Sequence, residues 1–198
     1  MLNIKVFSDF ACPFCYLSTG FFDKLKGEGL VFSLEWIPYE MHPNIPLEGK
    51  SIESKHPKGY KEKMLEFQNN LGKEYGIKFG NQTMDYNTKR ALLAGEYAKS
   101  IEKYDEFSKL AFKAYFYDLK NLGQVSVLNN IAAKSGFQIE EMNQAIDSGK
   151  FDSNIEKAKK LIEKFQVEGT PTFIINDKHK MVGMRPYNQM KDSFLSFM

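Results

Sequence analysis

Cys12 and Cys15 are the only two cysteines in the chain, set three apart in FSDFACPFCYL with Pro13 and Phe14 between them. Thiols at this spacing serve as a dithiol–disulfide switch, as half of a zinc site, or as a chance pair of small core residues. For the first use the thiolate is the nucleophile, and a free cysteine with a pKa of about 8.5 is only slightly ionised at neutral pH. A helix N-terminus corrects this, because its unpaired N–H groups and dipole favour negative charge. Proline suits the first helical position, where its missing N–H would go unpaired in any case. A cysteine one turn deeper returns to the same side and can attack a mixed disulfide formed on the first. The spacing therefore favours Cys12 as attacking thiol and Cys15 as resolving thiol, provided a helix starts between them.

Zinc asks for four ligands in a structural site. No second Cys-x-x-Cys is present, and His42, His56 and His179 are scattered, so no metal is expected. A further candidate element is Gly169-Thr170-Pro171-Thr172, ahead of an apolar run TFIIN. A proline opening a strand is ordinary. The sharper expectation is a cis Thr170–Pro171 bond facing the cysteines.

The elements needed to position these groups are legible. Residues 2–8 read as a strand with Ile4 and Val6 on one face and Lys5 and Phe7 on the other. YLSTGFFDKLKG reads as a helix stopped near Gly27 and Gly29, and VFSLEWI as a half-buried strand with Phe32, Leu34 and Trp36 on one side. From Pro38 to Gly59 a proline-rich stretch has no period, marking a functional loop or linker. A helical block follows, its first helix ending at Gly72 or Gly76, with apolar stripes such as Ala91/Ala94/Ala98, Phe107/Ala111/Ala114, Met142/Ala145/Ile146 and Ile155/Ala158/Leu161/Ile162/Phe165. These stripes are expected to be core. TFIIN and KMVG then read as a hairpin around NDKHK, and YNQMKDSFLSFM as a final helix. The order βαβ, helices, ββα implies one four-stranded sheet interrupted by an all-helical insertion. The expected division is 1–59 with 167–198, and 60–166 as the insertion.

The chain has 198 residues, 42% hydrophobic and 26% charged, with 27 basic against 25 acidic side chains and a net charge of +2. That balance argues against nucleic-acid binding. No apolar run approaches a membrane span and no signal-peptide pattern precedes the first strand, so a cytoplasmic protein without a membrane partner is expected.

SDFACPFCYL, MHPNIPLEG, NTKRALLAGEYA, AYFYD, GTPTFIIN and VGMRPY, in this order, resemble the DsbA-like thioredoxin-fold oxidoreductases, in the branch related to 2-hydroxychromene-2-carboxylate isomerase. The chain departs at Phe14, where Trp is common; at Met41-His42-Pro43, where Leu-Asn-Pro is more usual; and at Met184-Arg185. The resemblance implies an α/β thioredoxin fold with a helical insertion, and a disulfide oxidoreductase acting on protein or low-molecular-weight substrates. It implies that Pro171 is the cis-proline and that the Thr170 backbone meets an extended substrate. Pro13, Phe14 and Asn87 join Thr170 and Pro171 as candidate substrate-binding residues, although the helix cap is the favoured reading of Asn87. Asp9 has precedent in such proteins and reads as a turn residue or a proton-transfer group. No bound cofactor is expected; glutathione is a candidate co-substrate, and the assembly a monomer or homodimer. Pro-Phe lacks the histidine of the strongly oxidising DsbA motif, which implies a less stabilised thiolate. The alternative is a glutathione-dependent isomerase or transferase for a small aromatic substrate; the isomerase relatives usually carry serine in place of the first cysteine.

Overall fold

A computed structural model describes residues 1–52 and 59–197, so His56 and most of the KSIESKHPKG part of the loop lie outside the described residues. The four-stranded sheet runs in the order β2-β1-β5-β6, formed by β1 (Leu2–Ser8), β2 (Phe32–Pro38), β5 (Thr172–Ile175) and β6 (His179–Val182). β1 pairs parallel to β2 through the crossover helix α1 (Pro13–Gly27), and antiparallel to β5. The end of the sheet's first strand thus lies between the turn carrying the cysteines and the start of the strand that follows Pro171.

Both faces of the sheet are covered. Ile4 and Val6 point into the main core with Phe21, Phe22 and Phe173, and α8 (Tyr187–Leu195) adds Phe194 on the same side. Phe22 and Phe173 both meet the Phe194 ring at centroid distances of 6.0 and 5.5 Å, so α1, the sheet and α8 interlock through aromatic rings. Phe7 points the other way, into a smaller core with Ile37, Val167, Ile174 and Ala158 of α7 (Asp152–Phe165). The alternation read from β1 is the pleat of a strand buried on both sides.

Helices α2 (Tyr60–Tyr75), α3 (Lys89–Ser100), α4 (Tyr104–Phe116), α5 (Val125–Lys134) and α6 (Ile139–Asp147) extend the main core without a break. α2 ends at Gly76, which caps it with a φ of +68°, and Gly72 is interior to it. Gly20 on α1 is needed for close approach: a Cβ there would collide with the Tyr75 carbonyl oxygen and come within 2.9 Å of the Tyr75 Cβ.

Two features depart from the expectation. A two-stranded ladder joins β3 (Lys50–Ser51) to β4 (Met84–Asp85) where no strand is predicted. Two-residue strands carry no period, and their pairing is set by distant chain. The α7 stripe is also incompletely buried: of its apolar positions only Ala158 is fully covered. Ile155 and Ile162 are only partly covered and line an open cleft that faces Leu92 and Leu93 of α3.

Candidate active site

Cys12 is the N-cap of α1, with Pro13 at the first helical position as its fixed φ favours. Its sulfur accepts a hydrogen bond from the Cys15 N–H at 3.3 Å, the role that a serine or aspartate oxygen plays in ordinary caps. Cys12 and Cys15 are 3.2 Å apart as a free, buried dithiol. The Thr170–Pro171 peptide is cis, and the Cys12 thiol donates to the Thr170 carbonyl at 3.4 Å, joining residues 158 positions apart in the chain.

The flanking aromatics hold this turn in place. Phe10 packs on Phe107 and Phe112, and Tyr16 stacks on Phe112 at 5.6 Å with an interplanar angle of 12°. The aromatic residues before and after the cysteines are therefore sunk into α4, leaving the thiols fixed relative to the helical layer. Phe14 is half-buried, with its ring edge against Phe67 of α2 at 6.3 Å, and Phe67 is exposed.

The two thiols ionise differently. Burial opposes charge on Cys12, but hydrogen bonds from the Cys15 side chain, Thr170 and the Cys15 and Phe14 N–H groups outweigh it, lowering the pKa from its ordinary 9.0. Burial pushes Cys15 well above that value, and the hydrogen bond and charge of Cys12 push it further. The two thiols are thus pushed in opposite directions.

Asp9 organises the surroundings. It is fully buried, and its Oδ1 accepts from the Thr88 hydroxyl at 2.6 Å and the Ala11 N–H at 3.0 Å. Oδ2 accepts from the Met41 N–H at 2.6 Å, and the Asp9 carbonyl accepts from the Cys12 N–H at 3.0 Å. Burial raises the Asp9 pKa above 3.8, against these hydrogen bonds and the charge of His42. One carboxyl group thus ties together the cysteine turn, the loop after β2 and the entrance of α3. Met41 in turn accepts from the Thr170 hydroxyl at its Sδ, at 3.0 Å.

Asn87 uses its polar atoms elsewhere: it donates to the Ile45 carbonyl and accepts from the Lys89 N–H, an interaction that closes the start of α3. Its neighbour Thr88 is the residue that reaches the site. The roles of Thr88 and Met41 escape sequence reading, because Thr88 reaches the cysteine turn through Asp9, and Met41 through Asp9 and Thr170, all far from them in the chain. His42 is near Asp9, and His179 stacks on Phe197 at 4.3 Å. Among the described residues no group of three or more His, Cys, Asp or Glu side chains is placed to hold a metal. Beside the loop after β2, a cleft of about 610 Å³ opens between Leu92 and Leu93 of α3 and Ile155 and Ile162 of α7, with Glu40 and Lys89 at its wall.

A family model for the DSBA-like thioredoxin domain matches residues 3–194. The chain belongs to this family. Among relatives of the DSBA-like domain, the uncharacterized protein YwbO of Bacillus subtilis is 26% identical over 179 residues, covering 89% of this chain and 88% of that protein. A probable DsbA oxidoreductase, SCO1869 of Streptomyces coelicolor, superposes with a TM-score of 0.89 at 13% identity, covering 100% of this chain and 90% of that one. 2-Hydroxychromene-2-carboxylate isomerase gives a TM-score of 0.72 at 17% identity, covering 98% and 94% of the two chains. Cytosolic disulfide reductase DsbM of Pseudomonas aeruginosa, determined with GSH, gives 0.68 at 14% identity, covering 98% and 99%. At these identities the structural likenesses establish the thioredoxin fold of the DSBA-like domain. No helix among the described residues is long and apolar enough to cross a membrane.

Proposed function

We propose that the protein is a thiol–disulfide oxidoreductase acting on protein or low-molecular-weight disulfides, with Cys12 attacking and Cys15 resolving. The observation that carries this reading is the Cys12 sulfur at the N-terminus of α1, 3.2 Å from Cys15 and hydrogen-bonded to Thr170. In the reductive direction the Cys12 thiolate attacks one sulfur of a substrate disulfide and expels the other as thiolate. Cys15, losing its proton, then attacks the Cys12 sulfur and displaces the second substrate sulfur as thiolate; two electrons pass to the substrate and the protein is left as a disulfide. Oxidation of a substrate dithiol is the same sequence reversed. Pro171 and the Thr170 backbone would receive the substrate beside the sulfur, with Pro13 and Phe14 contacting it from the α1 side. In the same reading, 1–59 and 167–198 form the unit that carries the chemistry and 60–166 an insertion that walls it.

The chemistry needs no bound cofactor. DsbM determined with GSH supports glutathione as a co-substrate, and a reducing cytosol would keep the pair largely as dithiol. Reduction of insulin, or refolding of a scrambled disulfide substrate, tests the reading with Cys12→Ser as control. Equal performance of the two proteins across redox buffers would sink it.

One observation favours a second reading. The cleft beside the loop after β2, with its apolar floor, is large enough for a small aromatic substrate of a glutathione-dependent isomerase. Isomerase turnover that survives alkylation of both cysteines would favour this reading over the first.

A further inference from the structure

The Thr170 side chain has one hydroxyl proton to give. In the dithiol it points to Met41 Sδ at 3.0 Å, while the Thr170 carbonyl receives the Cys12 thiol at 3.4 Å. We propose that Met41 is a positioning residue for the dithiol: its thioether holds the Thr170 hydroxyl and limits how fully that hydroxyl can turn to the Cys12 sulfur. This rests on the assignment of Cys12 as the attacking thiol.

When Cys12 ionises, the sulfur loses its own donor proton and becomes a strong acceptor. The hydroxyl belongs to the residue whose carbonyl already meets this sulfur at 3.4 Å, so it is the neighbouring donor that can turn to the thiolate. Turning costs the contact with Met41. A thioether is a weak acceptor, and the contest is therefore close enough for a side-chain change to tip it. Met41 does not follow the hydroxyl, because its N–H is fixed to the Asp9 carboxylate at 2.6 Å and its side chain packs against the main core. The other titratable groups facing the dithiol and Asp9 are Tyr104 from α4, Tyr115 from the same helix, and His42 and Glu40 from the loop after β2. Replacing Met41 by leucine leaves all of them in place and keeps the backbone N–H to Asp9. Cores tolerate this volume-conserving exchange.

The test is a pH titration of Cys12, followed by its alkylation rate with the site assigned by mass spectrometry, on Met41→Leu, Thr170→Val and the double variant. Losing a thioether acceptor should raise the Cys12 ionisation constant about two- to fivefold in Met41→Leu. The pair's reduction potential should become less negative, because a favoured thiolate stabilises the reduced form. In the Thr170→Val background the Met41→Leu change should do nothing, and Thr170→Ser, which restores a hydroxyl, should bring the effect back. An unchanged ionisation constant in Met41→Leu would overturn the proposal, as would a shift that persists with valine at position 170. The titration reads Cys12 whether or not the protein turns over disulfides. Failure of the oxidoreductase reading shows instead as wild-type activity in Cys12→Ser.

Discussion

Replacing Asp9 separates its hydrogen-bonding role from its charge. Asp9→Ala leaves the Thr88 hydroxyl and the Met41 and Ala11 N–H groups without their acceptor. A buried donor left unpaired costs about 1–3 kcal/mol, so with some relief from entering water the expected loss is about 3–6 kcal/mol. That is a large part of the 5–15 kcal/mol typical of a folded domain. Asp9→Asn keeps the volume and an oxygen for two of the donors, but turns its NH₂ group toward the third. It loses about 1–3 kcal/mol there, partly offset by removal of a charge that burial disfavours. The two variants also differ from wild type in pH dependence. Because burial raises the Asp9 pKa in the folded state, its contribution to stability is fully present below the ordinary 3.8 and declines as pH rises through the raised value. The stability gap between wild type and Asp9→Asn should therefore narrow with increasing pH across that window. Urea unfolding followed by the single tryptophan, Trp36, in the presence of a non-thiol reductant measures both effects. A gap that stays constant with pH, or equal stability of the alanine and asparagine variants, would refute the account of Asp9.

Limited alkylation at neutral pH should modify Cys12 before Cys15, since Cys12 is pushed down and Cys15 well up; peptide mapping that finds Cys15 labelled first would contradict this. Gly20→Ala should cost about 1–3 kcal/mol by forcing α2 away from α1, read as a lower denaturant midpoint at unchanged slope. Lys99→Met should strand Glu96, which is 6% exposed and, among the described residues, keeps Asn154 as its remaining partner at 2.8 Å. The expected loss is about 2–3 kcal/mol, below the 3–5 of a wholly buried pair because Lys99 itself reaches solvent. A melt within a degree or so of wild type would show that the pair is already screened.

What could be read from the sequence was local or repeated. Strand alternation around Ile4, Val6 and Phe7 identified the central strand, and Cys12-Pro13 at a strand-to-helix junction marked a helix N-terminus. Thr170 carried its signal by sitting before a proline and an apolar run. Asp9 could be singled out only through the resemblance, and its hydrogen-bonding role stayed hidden because Met41 and Thr88 approach it from two other segments. The α7 stripe misled for a related reason. Periodicity at Ile155 and Ile162 reports that a helix has an apolar face, whereas only the neighbouring elements decide whether that face is covered.

The hydrogen bond from Cys12 to Thr170 spans 158 residues, and β1, the strand before the cysteines, obtains its antiparallel neighbour β5 only after the helices are in place. A chain made from its first residue onward therefore presents both thiols long before it can shelter them. Until the segment before β5 docks, Cys12 lacks the carbonyl that receives its proton and the cover that Thr170 and Pro171 give it. Chains that stop short of Thr170 are thus the form most exposed to stray oxidation, and selectivity of the thiol pair is acquired only once β5 has been made.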